Sequence, residues 1–214
     1  MAIEDLQFFN PLAGIRMTGG RLPHWEQPGA TYFLTFRLAD ALPASIRAEW
    51  QVERDAWIAN HSGPWQDDVE QEFHRLFTAR VDAWLDAGNG ACVLRNPECR
   101  RALEESLRHG DCLQYCLHAW VIMPNHVHAV VSLRKDQRLN GIVGAWKSVS
   151  ARRINQGNGS SGTLWQENYF DRLVRDAGHF ANCLRYIRRN PEKASLTPGE
   201  FTLFENPLAR QFLE

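Results

Sequence analysis

No run of about 18 apolar residues, the length a helix needs to cross a bilayer, occurs in this sequence. Met1 to Gly20 also lacks the basic-then-apolar order of a secretory leader. The expectation is a cytoplasmic protein with no membrane partner. Cysteine chemistry is thin as well: Cys92, Cys99, Cys112, Cys116 and Cys183 are odd in number and form no C-x-x-C pair, which argues for reduced thiols rather than a disulfide framework. Cys112 and Cys116 are too loosely spaced, with no second pair, for a zinc ribbon. Net charge is nearly absent at −1, which excludes a protein that coats nucleic acid indiscriminately. Internal repeats are missing, and only four tyrosines occur.

What is present suffices for one domain with an insertion: 214 residues, 44% of them hydrophobic. The near-zero charge hides an asymmetry. Glu49 to Asp111 is acidic, whereas Arg134 to Lys193 carries Lys135, Arg138, Lys147, Arg152, Arg153, Arg172, Arg175, Arg185, Arg188 and Arg189. That half reads either as a phosphate-binding face or as solvated helix surfaces.

Periodicity gives the element order. After the turn signal Pro28-Gly29, Ala30 to Leu38 alternates as a strand. Helical spacing runs from Pro43 to His61 and from Asp67 to Ala87, broken at Gly63-Pro64, and a third helix spans Asn96 to Arg108 with Pro97 as its first residue. Leu113 to Ile122 and His126 to Leu133 are strand-like runs separated by Met123-Pro124-Asn125, an antiparallel hairpin. A helix from Asn140 to Gln156, a flexible loop over Gly157 to Gly162, a strand or ribbon over Leu164 to Val174 and a helix over Ala177 to Arg189 follow. Pro191 should stop that last helix near Asn190, and the tail after Ser195 has no clear period. The fold class is α+β, a small antiparallel sheet packed by helices, with a helical insert over about 40–111.

His126 and His128 are i and i+2 on a strand, so both imidazoles project from one face while Val127, Ala129, Val131 and Leu133 project from the other. Neutral imidazoles held side by side suit a metal ion, although His-x-His by itself also describes two ordinary strand histidines. Tyr186 and Asn190 are i and i+4 at the edge of a stripe formed by Phe180, Cys183, Leu184 and Ile187, able to reach a cleft or simply to end the helix. Tyr32, Tyr115 and Tyr169 lie in strand-like runs where packing explains them, which leaves Tyr186 as the candidate nucleophile. Its neighbours Arg185, Arg188 and Arg189 would favour a phenolate and an incoming phosphate.

Met123-Pro124-Asn125-His126-Val127-His128, Trp146-Lys147-Ser148, Leu164-Trp165-Gln166 and Tyr186-Ile187 followed by Asn190-Pro191 together resemble the REP-associated tyrosine transposases, relatives of the single-tyrosine HUH transposases. Arg21-Leu22-Pro23-His24-Trp25 and Thr31 to Phe36 resemble that family too. The resemblance implies a ferredoxin-like core, His126 and His128 as metal ligands, Asn190 as a further ligand from the tyrosine helix, and Tyr186 as the nucleophile. It implies as substrates single-stranded DNA and hairpins of repetitive extragenic palindromes. The Asp40–Asp111 insert is longer and more acidic than in compact members.

The expected reaction is metal-dependent transesterification through a 5′-phosphotyrosine, with Mg²⁺ or Mn²⁺ better suited than zinc to imidazole, amide and phosphate donors. Lys147, Arg152, Arg153, Arg185 and Arg189 are candidate phosphate contacts, with Trp165 or Trp25 for base stacking. His24 and His118 are left outside the site. The expected unit is a monomer or homodimer. Two other functions fit the same residues: a hairpin-binding protein without turnover, and a metal-dependent hydrolase that uses activated water.

Overall fold

The computed structural model describes residues 5–18, 24–61, 65 and 67–214. The turn signal Gly63-Pro64 and the first three residues of the Arg21–Trp25 motif lie outside the described residues.

Seven strands and seven α-helices are described. Strands β1 (Arg16–Thr18) and β2 (His24–Glu26) form a separate ribbon, which the periodicity did not reveal because each is only three residues long. The main sheet holds β3 (Thr31–Arg37), β4 (Tyr115–Ile122), β5 (His126–Leu133), β6 (Phe170–Leu173) and β7 (Thr202–Glu205) in the order β6-β3-β5-β4-β7. Every neighbouring pair is antiparallel. With β7 set aside, the order is that of a ferredoxin-like sheet: β3, a helix, the β4–β5 hairpin, a second helix, then β6 at the far edge.

The helices are α1 (Ala44–Asn60), α2 (Asp67–Phe73), α3 (Ala79–Asp86), α4 (Pro97–Arg108), α5 (Leu139–Gly157), α6 (Ala177–Lys193) and α7 (Pro207–Gln211). Helix α4 begins as expected, with Pro97 at its first position and the Asn96 side chain accepting from the Glu98 N–H. It is the crossover helix of the core, so the inserted part of the region around 40–111 is α1 to α3. A π-helical turn at His74–Thr78 joins α2 to α3, the kind of local widening that re-aims the turn that follows.

Strand alternation divides the core into two layers. Tyr32, Leu34, Phe36, Val127, Ala129 and Val131 face α4, α5 and the insert, with Trp146 and Trp165 among them. Phe33, Val121, Val130, Phe180, Leu184 and Ile187 form the layer under α6 and α7. A register shift between Leu117 and Ala119 resets β4.

Three expectations change. The Leu164–Val174 ribbon is a strand only over Phe170–Leu173, with a single bridge between Trp165 and Leu38. The tail is not irregular: β7 pairs with β4, and α7 is capped by Asn206. Helix α6 does not end at Asn190 but runs through Pro191 to Lys193, and its last turn is closed by Ala194 N–H to Asn190 O at 3.0 Å and Leu196 N–H to Pro191 O at 2.9 Å. Proline removes one backbone bond. Burial of Pro191 and the Lys193–Asp86 contact at 2.8 Å hold the extra turn against the insert.

Candidate active site

Strand β5 delivers His126 and His128 to the α6 side, where both are buried. Their rings lie 4.7 Å apart between centroids. Each is held through Nδ1. His126 Nδ1 lies 2.7 Å from Asn125 Oδ1, and the Asn125 amide is oriented by its NH₂ donating to the carbonyls of Leu85 and Asn89 at 3.2 and 3.0 Å. An amide oxygen only accepts, so His126 carries its proton on Nδ1 and turns the Nε2 lone pair toward the site. His128 Nδ1 is 2.7 Å from Thr35 Oγ1 on the neighbouring strand. Burial drives the His126 pKa down to about 3, with Arg37 and Lys193 adding to the effect, and drives that of His128 well below the usual imidazole value. Both imidazoles are neutral at physiological pH.

Helix α6 supplies the other half. The Tyr186 ring stands edge-on to His128 at 5.1 Å between centroids and edge-on to Phe33 at 5.6 Å. Asn190, one turn on, is buried rather than at a frayed end. Its amide is near enough to influence His126 and Tyr186. Yet Asn190 Oδ1 and Nδ2, like His126 Nε2 and His128 Nε2, are buried without an aligned hydrogen-bond partner.

A buried polar atom left unpaired costs about 1–3 kcal/mol, and folded proteins tolerate few of them. Convergent lone pairs on two neutral imidazoles and an amide are a donor set that fits a divalent cation. Among the described residues no three His, Cys, Asp or Glu side chains group as a metal site. The third donor here is an amide, which leaves a weaker, more open set than a carboxylate would.

The arginines expected beside the phenol are not its hydrogen-bond partners. Arg188 makes a two-pronged pair with Glu205 on β7, at 2.8 and 2.7 Å, and Arg185 donates to Asn182 at 2.6 Å on the exposed side of α6. The Tyr186 hydroxyl instead donates to Asp82 Oδ2 at 2.8 Å, a carboxylate brought in by α3 of the insert. Burial and the anionic neighbours Asp82 and Asp86 raise the phenol's pKa, contrary to the lowering expected from the arginines. Asp82 itself is pushed up to about 6, first by burial.

Two cations do act on the imidazole pair: Lys193 from α6, and Arg37, whose β3 position is directly opposite His126 on β5. Arg37 gives its Nε–H to Gln166. Lys147 donates to three consecutive carbonyls, Gln166, Glu167 and Asn168, at 3.0, 3.1 and 3.2 Å, which fixes that loop. The Trp146-Lys147-Ser148 and Leu164-Trp165-Gln166 motifs therefore build a brace for Arg37. Burial, then Arg37, lowers the Lys147 pKa to about 8.

Trp165 is 5% exposed, packs edge-on to Phe36 at 4.9 Å and donates to Ser150 at 2.9 Å, so it is a core residue and not a platform for a base. Arg153 pairs with Glu105 at 2.6 Å on exposed surface, and Arg152 is exposed on α5. Arg185 and Arg189 line a groove along α6 together with Tyr186, Asn190 and Lys193. Of the expected phosphate contacts, only these two share a surface with the tyrosine. Trp25 lines a separate aromatic hollow with Phe9, Trp65, Phe73 and Phe170. His118 is buried, 2.8 Å from Ser132 Oγ, away from the imidazole pair, while His24 bonds Asp171 and stacks on Tyr169 at 4.4 Å.

Asp82, Thr35, Arg37 and Asn125 had not been singled out from the sequence. Asn125, one step before His126 in the motif, carried a signal. The others gave none, since they meet the site only through tertiary contact.

Residues 94–190 match the family described as "Transposase IS200 like". The match spans the strand histidines and ends on Asn190. Among solved structures, a REP-associated tyrosine transposase bound to a REP hairpin aligns at 14% identity and a TM-score of 0.47, covering 84% of this chain and 76% of that one. A putative transposase from Deinococcus radiodurans R1 aligns at 16% identity and a TM-score of 0.31, covering 75% of this chain and 89% of that one. No curated protein matches this chain. No helix among the described residues is long and apolar enough to cross a membrane.

Proposed function

Taking as premise that residues 94–190 are an IS200-like transposase region, we propose that this chain is a metal-dependent endonuclease and strand transferase. Its substrate is single-stranded DNA carrying a palindromic hairpin, and it works through a 5′-phosphotyrosine. The observation that carries the reading is the convergence of four unpaired buried polar atoms, on His126, His128 and Asn190, beside the Tyr186 ring.

His126, His128 and Asn190 would hold Mg²⁺ or Mn²⁺, and the ion when bound supplies Lewis-acid polarisation of a phosphate oxygen. Asn125 and Thr35 keep the two imidazoles oriented from behind, as metal-ligating histidines require. Tyr186 Oη forms the bond to phosphorus, and the bond to the 3′-oxygen breaks, leaving a free 3′-hydroxyl. Resealing reverses the bonds, with an incoming 3′-hydroxyl displacing Tyr186. Phosphoester energy is kept in the covalent link, so no nucleotide cofactor is consumed. Arg185 and Arg189, which line the groove beside Tyr186, would contact the backbone on the way in. The REP hairpin held by the aligned relative is the model for the DNA proposed here.

The test is to incubate the protein with end-labelled hairpin oligonucleotides bearing randomised single-stranded flanks, with and without Mn²⁺, and to look for a denaturation-resistant adduct. An adduct that needs the metal and vanishes in Tyr186→Phe is expected. Cleavage that survives Tyr186→Phe but not His126→Ala would identify a water-activating hydrolase instead.

A further inference from the structure

The insert contributes a group to the chemistry. Resting on the reading above, we propose that Asp82 of α3 is a catalytic residue: it accepts the phenolic proton as Tyr186 attacks the phosphate, and returns it when the strand is resealed.

The geometry is already that of proton transfer, with Tyr186 Oη donating to Asp82 Oδ2 at 2.8 Å across 104 residues of sequence. The carboxylate is held from several sides. Its helix is anchored by the buried Val81 and Leu85, by the Asn125 amide on the Leu85 carbonyl, and by Asp86 on Lys193 at 2.8 Å. The charged groups that face it are Lys193 and Tyr186 from α6, Arg37 from β3 and Asp86 from its own helix. A hydrogen bond maintained by an inserted helix on the one polar atom of the candidate nucleophile needs a reason. Residues 94–190, the transposase match, do not include Asp82.

The chemistry gives that reason. A phenol whose pKa lies above its usual value of about 10 attacks slowly unless its proton leaves during bond formation. Complete transfer beforehand to a carboxyl titrating at about 6 is uphill. The proton must therefore move in step with attack, as general-base catalysis provides. In balance, the Oη–H bond breaks as the Oη–P bond forms, Asp82 becomes the neutral acid, and the departing 3′-oxygen takes a proton from water. On resealing, the incoming 3′-hydroxyl gives its proton to water as its oxygen bonds to phosphorus, the Oη–P bond breaks, and Asp82 returns its proton to the phenolate leaving group.

The experiment is single-turnover adduct formation with the same hairpin oligonucleotides and Mn²⁺, for wild type, Asp82→Asn, Asp82→Glu and Tyr186→Phe. Asp82→Asn keeps size and a hydrogen-bond acceptor but removes basicity, so its adduct rate should fall by about 100- to 10,000-fold with Asp82→Glu partly restoring it. Wild type should gain rate as pH rises through the titration of Asp82, and Asp82→Asn should lose that limb of the profile. An Asp82→Asn rate equal to or above wild type would overturn the proposal and make the contact a restraint on the tyrosine. A pH–rate profile that keeps its limb in Asp82→Asn would overturn it as well. Absence of any adduct from wild type sinks the proposed function and this inference together, whereas adduct from wild type and undiminished adduct from Asp82→Asn sinks only the inference.

Discussion

On the α4–α5 side of the sheet, buried polar groups find partners: Tyr115 Oη donates to Leu107 O at 2.8 Å, Trp146 Nε1 to Tyr115 Oη at 2.8 Å and Trp165 Nε1 to Ser150 Oγ at 2.9 Å. Trp120 Nε1 and Tyr169 Oη are exceptions there. On the α6 side, the same strands bury His126 and His128 with Nε2 unpaired and face them with an unpaired amide on Asn190. Strand β5 contributes to both layers, alternating residue by residue. Both sides give up some of the stabilisation that burial offers, but the α6 side does so with atoms that lie next to one another. Unpaired imidazole and amide atoms set together beside a tyrosine mark where a ligand belongs.

The sharpest way to break this contrast is to substitute one residue from each layer. His128→Leu removes an unpaired polar edge and adds an apolar side chain beside Phe33, 5.6 Å away between ring centroids in the present structure. It should eliminate metal-dependent adduct formation while leaving the protein folded, since the loss of the Thr35 hydroxyl's partner is offset by the gain in apolar burial. Leu34→Ala, fully buried on the other side, should cost about 2–5 kcal/mol in denaturant unfolding yet leave the adduct rate per folded molecule within about twofold. If Leu34→Ala disabled chemistry more than stability, or His128→Leu unfolded the protein, the division of labour between the layers would be lost.

A smaller effect sharpens the comparison within the α6 side. Thr35 touches no proposed substrate atom, but its hydroxyl is the 2.7 Å partner of His128 Nδ1. Thr35→Val keeps the shape of a buried strand residue and leaves that nitrogen unpaired. Outer partners of metal-binding histidines typically matter by about 10–100-fold in affinity. The Mn²⁺ concentration that gives half-maximal adduct formation should rise by that factor, with the rate at saturating Mn²⁺ little changed. An unchanged Mn²⁺ requirement would mean that His128 is oriented by its packing alone.

The legible and the hidden parts of this site separate along the same physical line. His126 and His128 could be placed on one face because strand alternation is local, and Tyr186 and Asn190 could be placed on one helix edge because the helical period is local. The four strands and the helices are legible from periodicity in the same way, although nothing local marks α4 as a crossover helix rather than as part of the insert. Asp82 was invisible because it reaches Tyr186 by tertiary docking, inside a helix whose composition reads only as acidic surface. Thr35 and Arg37 depend on the register of β3 against β5, which pairs them with His128 and His126 and which no single strand encodes. Pro191 misled for a related reason. The rule that proline ends a helix weighs one lost backbone bond, whereas the real end was decided by packing of Pro191 and by Lys193 reaching Asp86. β7 was missed because four residues between proline-containing turns carry too little periodicity to register.

The smallest effect expected concerns the arginines next to the tyrosine, where sequence proximity and spatial proximity disagree. Arg188 is two residues from Tyr186 but lies on the outer side of α6, where both of its bonds go to Glu205 on the edge strand β7. Its partner is anionic and near at hand, so a phosphate would have to compete with an ion pair already made. An ion pair open to solvent on its arginine side is worth about 1 kcal/mol, since solvent screens the attraction and ordering two long side chains costs entropy. Arg188→Ala should therefore lower unfolding stability by no more than that and leave adduct formation within about twofold. Arg189→Ala, one residue on but lining the groove with Tyr186 and Asn190, should weaken DNA binding and flatten its salt dependence by about one phosphate contact. Equal losses from the two substitutions would mean that the DNA wraps over the β7 edge as well, and that the groove along α6 is not its principal path.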